Sequence, residues 1–164
     1  MNLAPPPAET PQPLLDHAGI AARLPHAGSM CLLDRLEHWD AQAIHCSATS
    51  HRAEDHPLRT ASGLLAPCAI EYAAQAMALH GALCAGAQAP PAHGMLASVR
   101  GVRFAQDRLD RIPGRLQVRA QRLAADARQL QYAFVVADEA GTVFAQGKAT
   151  IVLVTPEACG DPSP

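Results

Sequence analysis

The stretch APCAIEYAAQAMALHGALCAG, residues 66–86, is almost entirely apolar and decides how the rest of the 164-residue chain must fold. Alanine dominates this stretch, and Glu71 is its one formally charged residue. Because Glu71, Gln75 and His80 also interrupt the apolar run, its insertion into a bilayer is weakly favoured at best. The composition therefore predicts a helix buried inside a soluble protein, with no membrane partner.

The ends of this helix are marked by residues that start and stop helices. Pro67 suits the first turn, where its missing N–H costs nothing. Gly86 and the pair Pro90–Pro91 suit the end, since neither residue type continues a helix well. We therefore predict a helix from Pro67 to Leu83.

The segments around the helix show the alternating or β-branched patterns of strands, two before it and four after it. A short helix over 16–24 is also expected, stopped by Pro25. A single apolar helix among antiparallel strands is covered most simply when the sheet wraps around it. The pattern thus predicts an α+β protein with a hotdog fold, whose strands are Met30–Trp39, Ala43–Thr49, Gly94–Gln106, Arg115–Leu123, Gln129–Val136 and Thr142–Val154.

Proline-rich ends flank a single predicted domain. Residues 1–15 are expected to form a disordered leader, 16–155 the domain, and 156–164 a flexible tail. No signal peptide is visible, so the cytoplasm is the default expectation. Five cysteines without a C-x-x-C pair argue against a disulfide framework and a zinc ribbon, and no metal or nucleotide motif is present. A net charge of -2 gives no reason to expect nucleic acid binding.

Several motifs resemble those of the 3-hydroxyacyl-(acyl carrier protein) dehydratases. LPH at 24–26 followed by MCLLDR at 30–35 is similar to that family's L-P-H…L-L-x-D-R opening. IEYAAQA at 70–76 is similar to its helix motif, in which an acid is followed closely by A-Q. VRF at 102–104 and IPG at 112–114 match the next strand and the turn after it. The order and spacing of these motifs carry the resemblance, from about residue 24 to residue 154.

A narrower group is still more similar: the dehydratase-like hotdog proteins of aryl polyene gene clusters, which share LPHAGSMCLLDR, HPLR and IEYAAQAMALHGAL. In that group this type of subunit pairs with a second hotdog protein. The resemblance implies a homodimer, a heterodimer with another hotdog subunit, or a higher oligomer. It also implies a substrate carried on the phosphopantetheine of an acyl carrier protein or on CoA, with no resident cofactor.

Dehydration of a 3-hydroxyacyl thioester needs a base, a donor to the thioester oxygen and an acid for the departing hydroxyl. Glu71 suits the acid, because a carboxyl in an apolar setting tends to stay protonated. A helix-start acid that complements the helix dipole is the alternative interpretation. His56 is the first candidate base by position, 15 residues before Glu71, and His51 is the second.

Further candidates surround these residues. Backbone N–H groups at a helix start suit the thioester oxygen, which makes Cys68 and Ala69 candidate substrate-binding residues. Gln75 lies four residues after Glu71, on the same helix face, and could orient its carboxyl. His26 could line the pocket or shape the turn into the first strand. For an acidic carrier protein or its phosphopantetheine arm, the candidates are Arg100, Arg103 and Arg108, and a solvated basic face is the alternative.

Two other functions remain open beside an active dehydratase with a His base and a Glu acid. The G-H-F-P loop of the general family is here Glu54-Asp55-His56-Pro57, which favours a non-catalytic subunit that completes a dehydratase heterodimer. The third candidate is an acyl thioesterase, in which Glu71 activates water. The dehydratase-like L-P-H opening argues mildly against it.

Overall fold

A computed structural model describes residues 13–86 and 93–154, so most of the expected leader and tail lies outside the described residues. Within these residues a short helix, one long helix and six strands alternate with short 3-10 turns. In chain order they are α1 (His17–Ala21), β1 (Arg35–Trp39), β2 (Ala43–Ala48), α2 (Ala69–Ala85), β3 (His93–Phe104), β4 (Leu116–Ala125), β5 (Gln129–Ala137) and β6 (Val143–Val154).

The six strands form one antiparallel sheet in the order β1-β2-β4-β5-β6-β3. Its dry face follows from alternation along the strands: Leu116, Val118 and Ala120 of β4 are buried, whereas Arg119 and Gln121 are exposed. The cross-strand partner of Val118 on β5 is the buried Val136, so the apolar face continues across the sheet.

Helix α2 lies on the dry face and packs against β2, β4 and β5. Its buried positions combine three large side chains, Tyr72, Met77 and Leu79, with small ones such as Ala73 and Ala76. The alanines keep the helix surface smooth and let the sheet approach its backbone closely. A sheet wrapped around one long apolar helix is the hotdog arrangement, and the expected fold is confirmed.

Several element boundaries differ from the sequence-based expectation, and two of the differences have a clear physical reason. The first strand begins at Arg35 rather than Met30, because residues 28–30 form a 3-10 turn and the following backbone bonds to the side chain of Gln75 instead of a strand. The long helix begins at Ala69 rather than Pro67, because Pro67 lies in a 3-10 turn that leads into it.

The residues just before position 16 attach to the sheet. The N–H of Leu14 donates to the carbonyl of Leu36 at 2.8 Å, and the N–H of Leu36 donates to Leu15 at 2.9 Å. These bonds occupy part of the outer edge of β1. None of the helices within 13–86 and 93–154 combines the length and the apolar content needed to cross a bilayer.

His80 forms a fully buried polar link between α2 and the sheet. Its Nε2–H donates to the backbone carbonyl of Asp40 at 2.8 Å, so Nδ1 is the acceptor for the Tyr132 hydroxyl, also at 2.8 Å. The two bonds satisfy both ring nitrogens and fix the position of the helix between β1 and β5.

Replacing Tyr132 by Phe removes the donor to His80 Nδ1 and leaves a buried acceptor unpaired. We expect Tyr132→Phe to lower the free energy of unfolding by about 1–3 kcal/mol. Urea denaturation followed by circular dichroism measures the change, with Gln131→Ala, an exposed site on the same strand, as the control. A loss no larger than that of the control would contradict this account of the link.

Candidate active site at the start of the long helix

Glu71 lies in the first turn of α2, and its side chain is about one-third exposed at 30%. Its Oε1 accepts a hydrogen bond from Gln75 Nε2 at 2.9 Å and lies 3.1 Å from His26 Nε2. Among the residues that the structure describes, no side chain bonds to Glu71 Oε2. The carboxyl group is therefore held by one oxygen and can present the other to a substrate.

Gln75 fixes the orientation of this carboxyl group. It is fully buried, and its amide oxygen accepts from the Leu32 N–H at 2.8 Å while its amide nitrogen donates to the Met30 carbonyl at 2.7 Å. Because one backbone group is a donor and the other an acceptor, the amide has only one orientation that satisfies both. The same nitrogen donates to Glu71, so the carboxyl is anchored to the segment before β1.

His26 is the histidine that the structure brings to Glu71. It follows Pro25 in the loop after α1, and 29% of its side chain is exposed. Its Nδ1 is buried and has no hydrogen-bond partner among the described residues. That His26 lines a substrate pocket stays a prediction.

His56 is engaged elsewhere, in a chain of hydrogen bonds that ends on the same backbone segment. The Leu58 N–H donates to His56 Nδ1 at 3.1 Å, so the ring proton is on Nε2, which donates to the Tyr72 hydroxyl at 3.1 Å. Ser50 Oγ donates to the Leu32 carbonyl at 2.7 Å, so the Tyr72 hydroxyl donates to Ser50 Oγ, also at 2.7 Å. In this arrangement neither ring nitrogen of His56 is free.

His51 is fully buried in a 3-10 turn after β2. Its Nε2–H donates to the Ile112 carbonyl at 3.0 Å, while its Nδ1 is enclosed and unpaired within the described part of the chain. A general base needs an available lone pair on one ring nitrogen, and His51 has one on Nδ1 while Nε2 is held by the backbone bond. The burial of that lone pair keeps substrate away from it in this conformation.

Burial lowers the pKa of His51 and of His56 below the ordinary histidine value, and for His56 the charge of Arg59 acts in the same direction. Burial lowers the pKa of His80 as well. All three rings are therefore neutral at pH 7, in agreement with the tautomers that their hydrogen bonds require.

The start of α2 offers less to a substrate oxygen than its sequence suggests. The Ala69 N–H already donates to the carbonyl of Ala66, and the Ala69 side chain lies in the core. Burial raises the pKa of the Cys68 thiol, and the charge of Glu71 adds to this, so the thiol stays protonated. Substrate binding by Cys68 and Ala69 stays a prediction.

A cavity of about 310 Å³ opens beside the His56 chain. Ser50, His56 and Cys31 are among its lining residues, whereas Glu71 and His26 are not. The described residues contain no group of three or more histidine, cysteine or carboxylate side chains that could hold a metal ion.

The three arginines proposed for carrier binding do not lie together. Arg100 and Arg103 are exposed on β3. Arg108 follows the strand and donates from Nε to Asp110 at 2.9 Å, and together with Arg59 it lowers the pKa of that carboxyl to about 2. Arg108 is thus tied into an ion-pair cluster within the chain.

The structure brings Gln75 and His26 into contact with Glu71, whereas His51 and His56 form hydrogen bonds with other residues. Sequence analysis did not assign a polar role to the Tyr72 hydroxyl or to Ser50. The sequence carries no specific signal for these roles, since Tyr72 adjoins Glu71 and neighbouring helix residues do not face each other.

These features define a hotdog protein of the dehydratase type, with the acid near the start of the wrapped helix. The model of the ApeP-like family, described as ApeP dehydratase, matches residues 18–159. The chain belongs to this family. No curated protein sequence matches the chain significantly.

Solved structures show the same fold. A chain of the dehydratase heterocomplex ApeI:P from Xenorhabdus doucetiae is 23% identical, with a TM-score of 0.75 over 84% of this chain and 91% of that one. AziG from S. sahachiroi is 16% identical, with a TM-score of 0.60 over 80% and 98%. A mutant of thioesterase PA1618 from Pseudomonas aeruginosa is 13% identical, with a TM-score of 0.53 over 73% and 80%.

The buried neutral histidines predict how stability depends on pH. Because the pKa values of His51, His56 and His80 are lowered in the folded state, the unfolded chain binds protons first as the pH falls through about 6.5. Stability is therefore full above this pH and is lost below it, by up to about 1.4 kcal/mol per histidine for each pH unit.

Urea denaturation at pH 7, 6 and 5 measures this slope. We expect His56→Gln to make it shallower than in the parent, whereas His38→Gln, at a side chain that is 70% exposed, retains the parent slope. Identical slopes in all three proteins would show that His56 does not contribute.

Proposed function

We propose that this chain is a subunit of a 3-hydroxyacyl thioester dehydratase, in which Glu71 is the acid and a second hotdog subunit completes the site. The observation that carries the proposal is the Glu71 carboxyl, held by Gln75 and His26 through one oxygen with the other oxygen free. Membership of the ApeP-like dehydratase family supports the reaction type.

In the proposed reaction, a base removes the proton next to the thioester carbonyl and protonated Glu71 delivers a proton to the departing hydroxyl. Gln75 keeps the carboxyl in place throughout, since its amide is fixed by two backbone bonds. His26 lies at the same oxygen and can exchange a proton with it. The chain thus supplies a positioned acid.

The base is the part that a single chain does not present. His56 can serve only after giving up one of its two hydrogen bonds, and the free nitrogen of His51 is enclosed. This supports a partner that either supplies the base or rearranges the His56 loop. The similar ApeI:P structure is a dehydratase heterocomplex, which also supports a heterodimer.

The sheet edge at β3 is the proposed contact with that partner. Met95 on this strand is 63% exposed, and Leu96 and Phe104 are 39% and 38% exposed. Exposed apolar side chains on a long edge strand favour pairing with another strand. Pairing there would extend the sheet into the partner and cover these side chains.

The proposed substrate is a 3-hydroxyacyl group carried on the phosphopantetheine of an acyl carrier protein, or on CoA. This assignment follows the dehydratase resemblance, and the chain itself supplies the groups named above without a resident cofactor. A place in aryl polyene or fatty acid biosynthesis is proposed on the same resemblance.

Glu71→Gln tests the acid, because the amide keeps the shape and the bond from Gln75 but cannot donate a carboxyl proton. With the partner subunit present, we expect dehydration of a 3-hydroxyacyl thioester to fall about 100-fold or more, with the unfolding transition retained. Enoyl product measured by mass spectrometry is the readout. Full activity in Glu71→Gln would rule out this role.

The same assay separates the other candidate functions. Activity of the chain alone supports a self-sufficient dehydratase, and activity that appears only on adding a hotdog partner supports the heterodimer. The fold likeness to thioesterase PA1618 keeps hydrolysis as the second candidate. Release of free thiol from acyl-CoA without enoyl product would favour it.

Met95→Lys tests the edge. A charge at this exposed apolar position would have to be buried against the partner, so we expect association with a hotdog partner to weaken by at least 10-fold while the chain itself stays folded. Sedimentation velocity measures the complex. Leu123→Lys, at an exposed apolar side chain on β4, is the control and should associate as the parent does.

A further inference from the structure

The outer face of the sheet, opposite α2, carries a cluster of cations that an irregularity in β3 brings together. In a regular strand Arg100 and Arg103 would point to opposite faces, since side chains alternate. Here Arg100 pairs with Lys148 and Arg103 pairs with Gln146, so β3 advances three residues while β6 advances two. This bulge turns both arginines to the same face.

The residues of the bulge fit its geometry. Gly101 has φ +59, the left-handed conformation that such a bulge requires of its first residue. Val102 points inward, where Gly147 leaves space: a Cβ there would lie 3.0 Å from Val102 Cγ2 and 3.1 Å from Phe134 Cζ. Two glycines therefore allow the outer face to hold both Arg100 and Arg103 without disturbing the core.

The cluster continues across the sheet. Val135 on β5 pairs with Gln146 on one side and with Arg119 of β4 on the other, which places Arg119 in the same row as Arg103. We call Arg100, Arg103, Arg119 and Lys148 the outer cluster. Its cations are all exposed, and none has an ion-pair partner among the residues that the structure describes.

This arrangement has an electrostatic cost that no ion pair within the described chain offsets. Arg100 and Lys148 lie directly opposite each other on neighbouring strands, and like charges in that position repel. The cross-strand neighbours in the two rows, from β6 to β2, are Ala133, Val135, Gln121, Gln146, His45 and Ala43, with no carboxylate among them. An external anionic partner would relieve the repulsion.

The shape of the outer face of the sheet limits which kinds of partner can bind the outer cluster. A cleft of about 460 Å³ opens between Arg100, Gln146 and Lys148, with Ala133 and Val135 in its floor. From β3 to β4 the cations span three strand spacings, or about 14 Å. A single phosphate cannot reach across that width, whereas a protein surface with several carboxylates and one apolar side chain for the cleft can.

We propose that the outer cluster is the docking surface for an acidic carrier protein. The identification of the occupant rests on the proposed function, which requires a carried acyl group. Pairing at the β3 edge uses the backbone groups of the outermost strand, whereas the outer cluster presents side chains from three strands, so docking and subunit pairing are compatible. Arg108 has no part in this surface, because Asp110 already binds it.

The test is a binding titration of labelled holo acyl carrier protein with the full chain and its hotdog partner, read by fluorescence anisotropy. In Arg100→Glu/Lys148→Glu we expect Kd to rise at least 10-fold and its dependence on salt to become shallower. Arg23→Glu/Arg128→Glu makes the same charge change at exposed sites outside the outer cluster and should leave Kd within twofold of the parent. Retained unfolding transitions confirm that both variants fold.

A second measurement separates this inference from the proposed function. Dehydration of a carrier-bound substrate should slow at least 10-fold in Arg100→Glu/Lys148→Glu, while dehydration of the same acyl group on free pantetheine stays unchanged. An equal loss in the control variant, equal binding of poly-glutamate, or unchanged Kd would overturn the docking surface. Absence of dehydration in the parent with both substrates would instead overturn the proposed function, and the titration would still decide the docking surface.

Discussion

The need to cover the apolar face of helix α2 is the constraint on which the rest of this molecule depends. Three of its eight buried side chains are alanines, which gain little by packing one at a time and need a closely fitting cover. An antiparallel sheet with one dry face provides that cover, and the small side chains let it approach. The order of the six strands, the edges of the sheet and the position of the acid all follow from this arrangement.

Burying such a helix raises a second requirement, because its polar side chains lose water along with the apolar ones. Gln75 and His80 meet it in the same way, by bonding to backbone groups that have no strand partner. Gln75 replaces a strand neighbour for residues 30–32, which is why β1 starts late. The Gln75 amide both ties the helix to residues 30–32 and orients Glu71, so the stability of the fold and the geometry of the site depend on the same side chain.

The histidines of this chain have two kinds of environment, one structural and one beside the candidate acid. His51, His56 and His80 are neutral and bonded inside the chain, where burial lowers their pKa values. His26 is the exception, since it lies at the surface against Glu71. The chain therefore presents an oriented acid beside one accessible histidine and keeps its other candidate bases closed, as expected of a subunit whose site is finished by a partner.

Local pattern was enough for the sequence to determine the long helix, the six strands, the dry face of β4 and the hotdog fold, because periodicity reports which side of an element is buried. The short motifs around Glu71 also indicated the dehydratase family. Only the tertiary structure decided that His26, rather than His56, meets Glu71, since residues 45 positions apart in the chain are brought together by packing. The tertiary structure also decided that Arg100 and Arg103 lie on one face of the sheet. A bulge depends on the partner strand and interrupts the alternation of side chains, so a sequence pattern does not predict it.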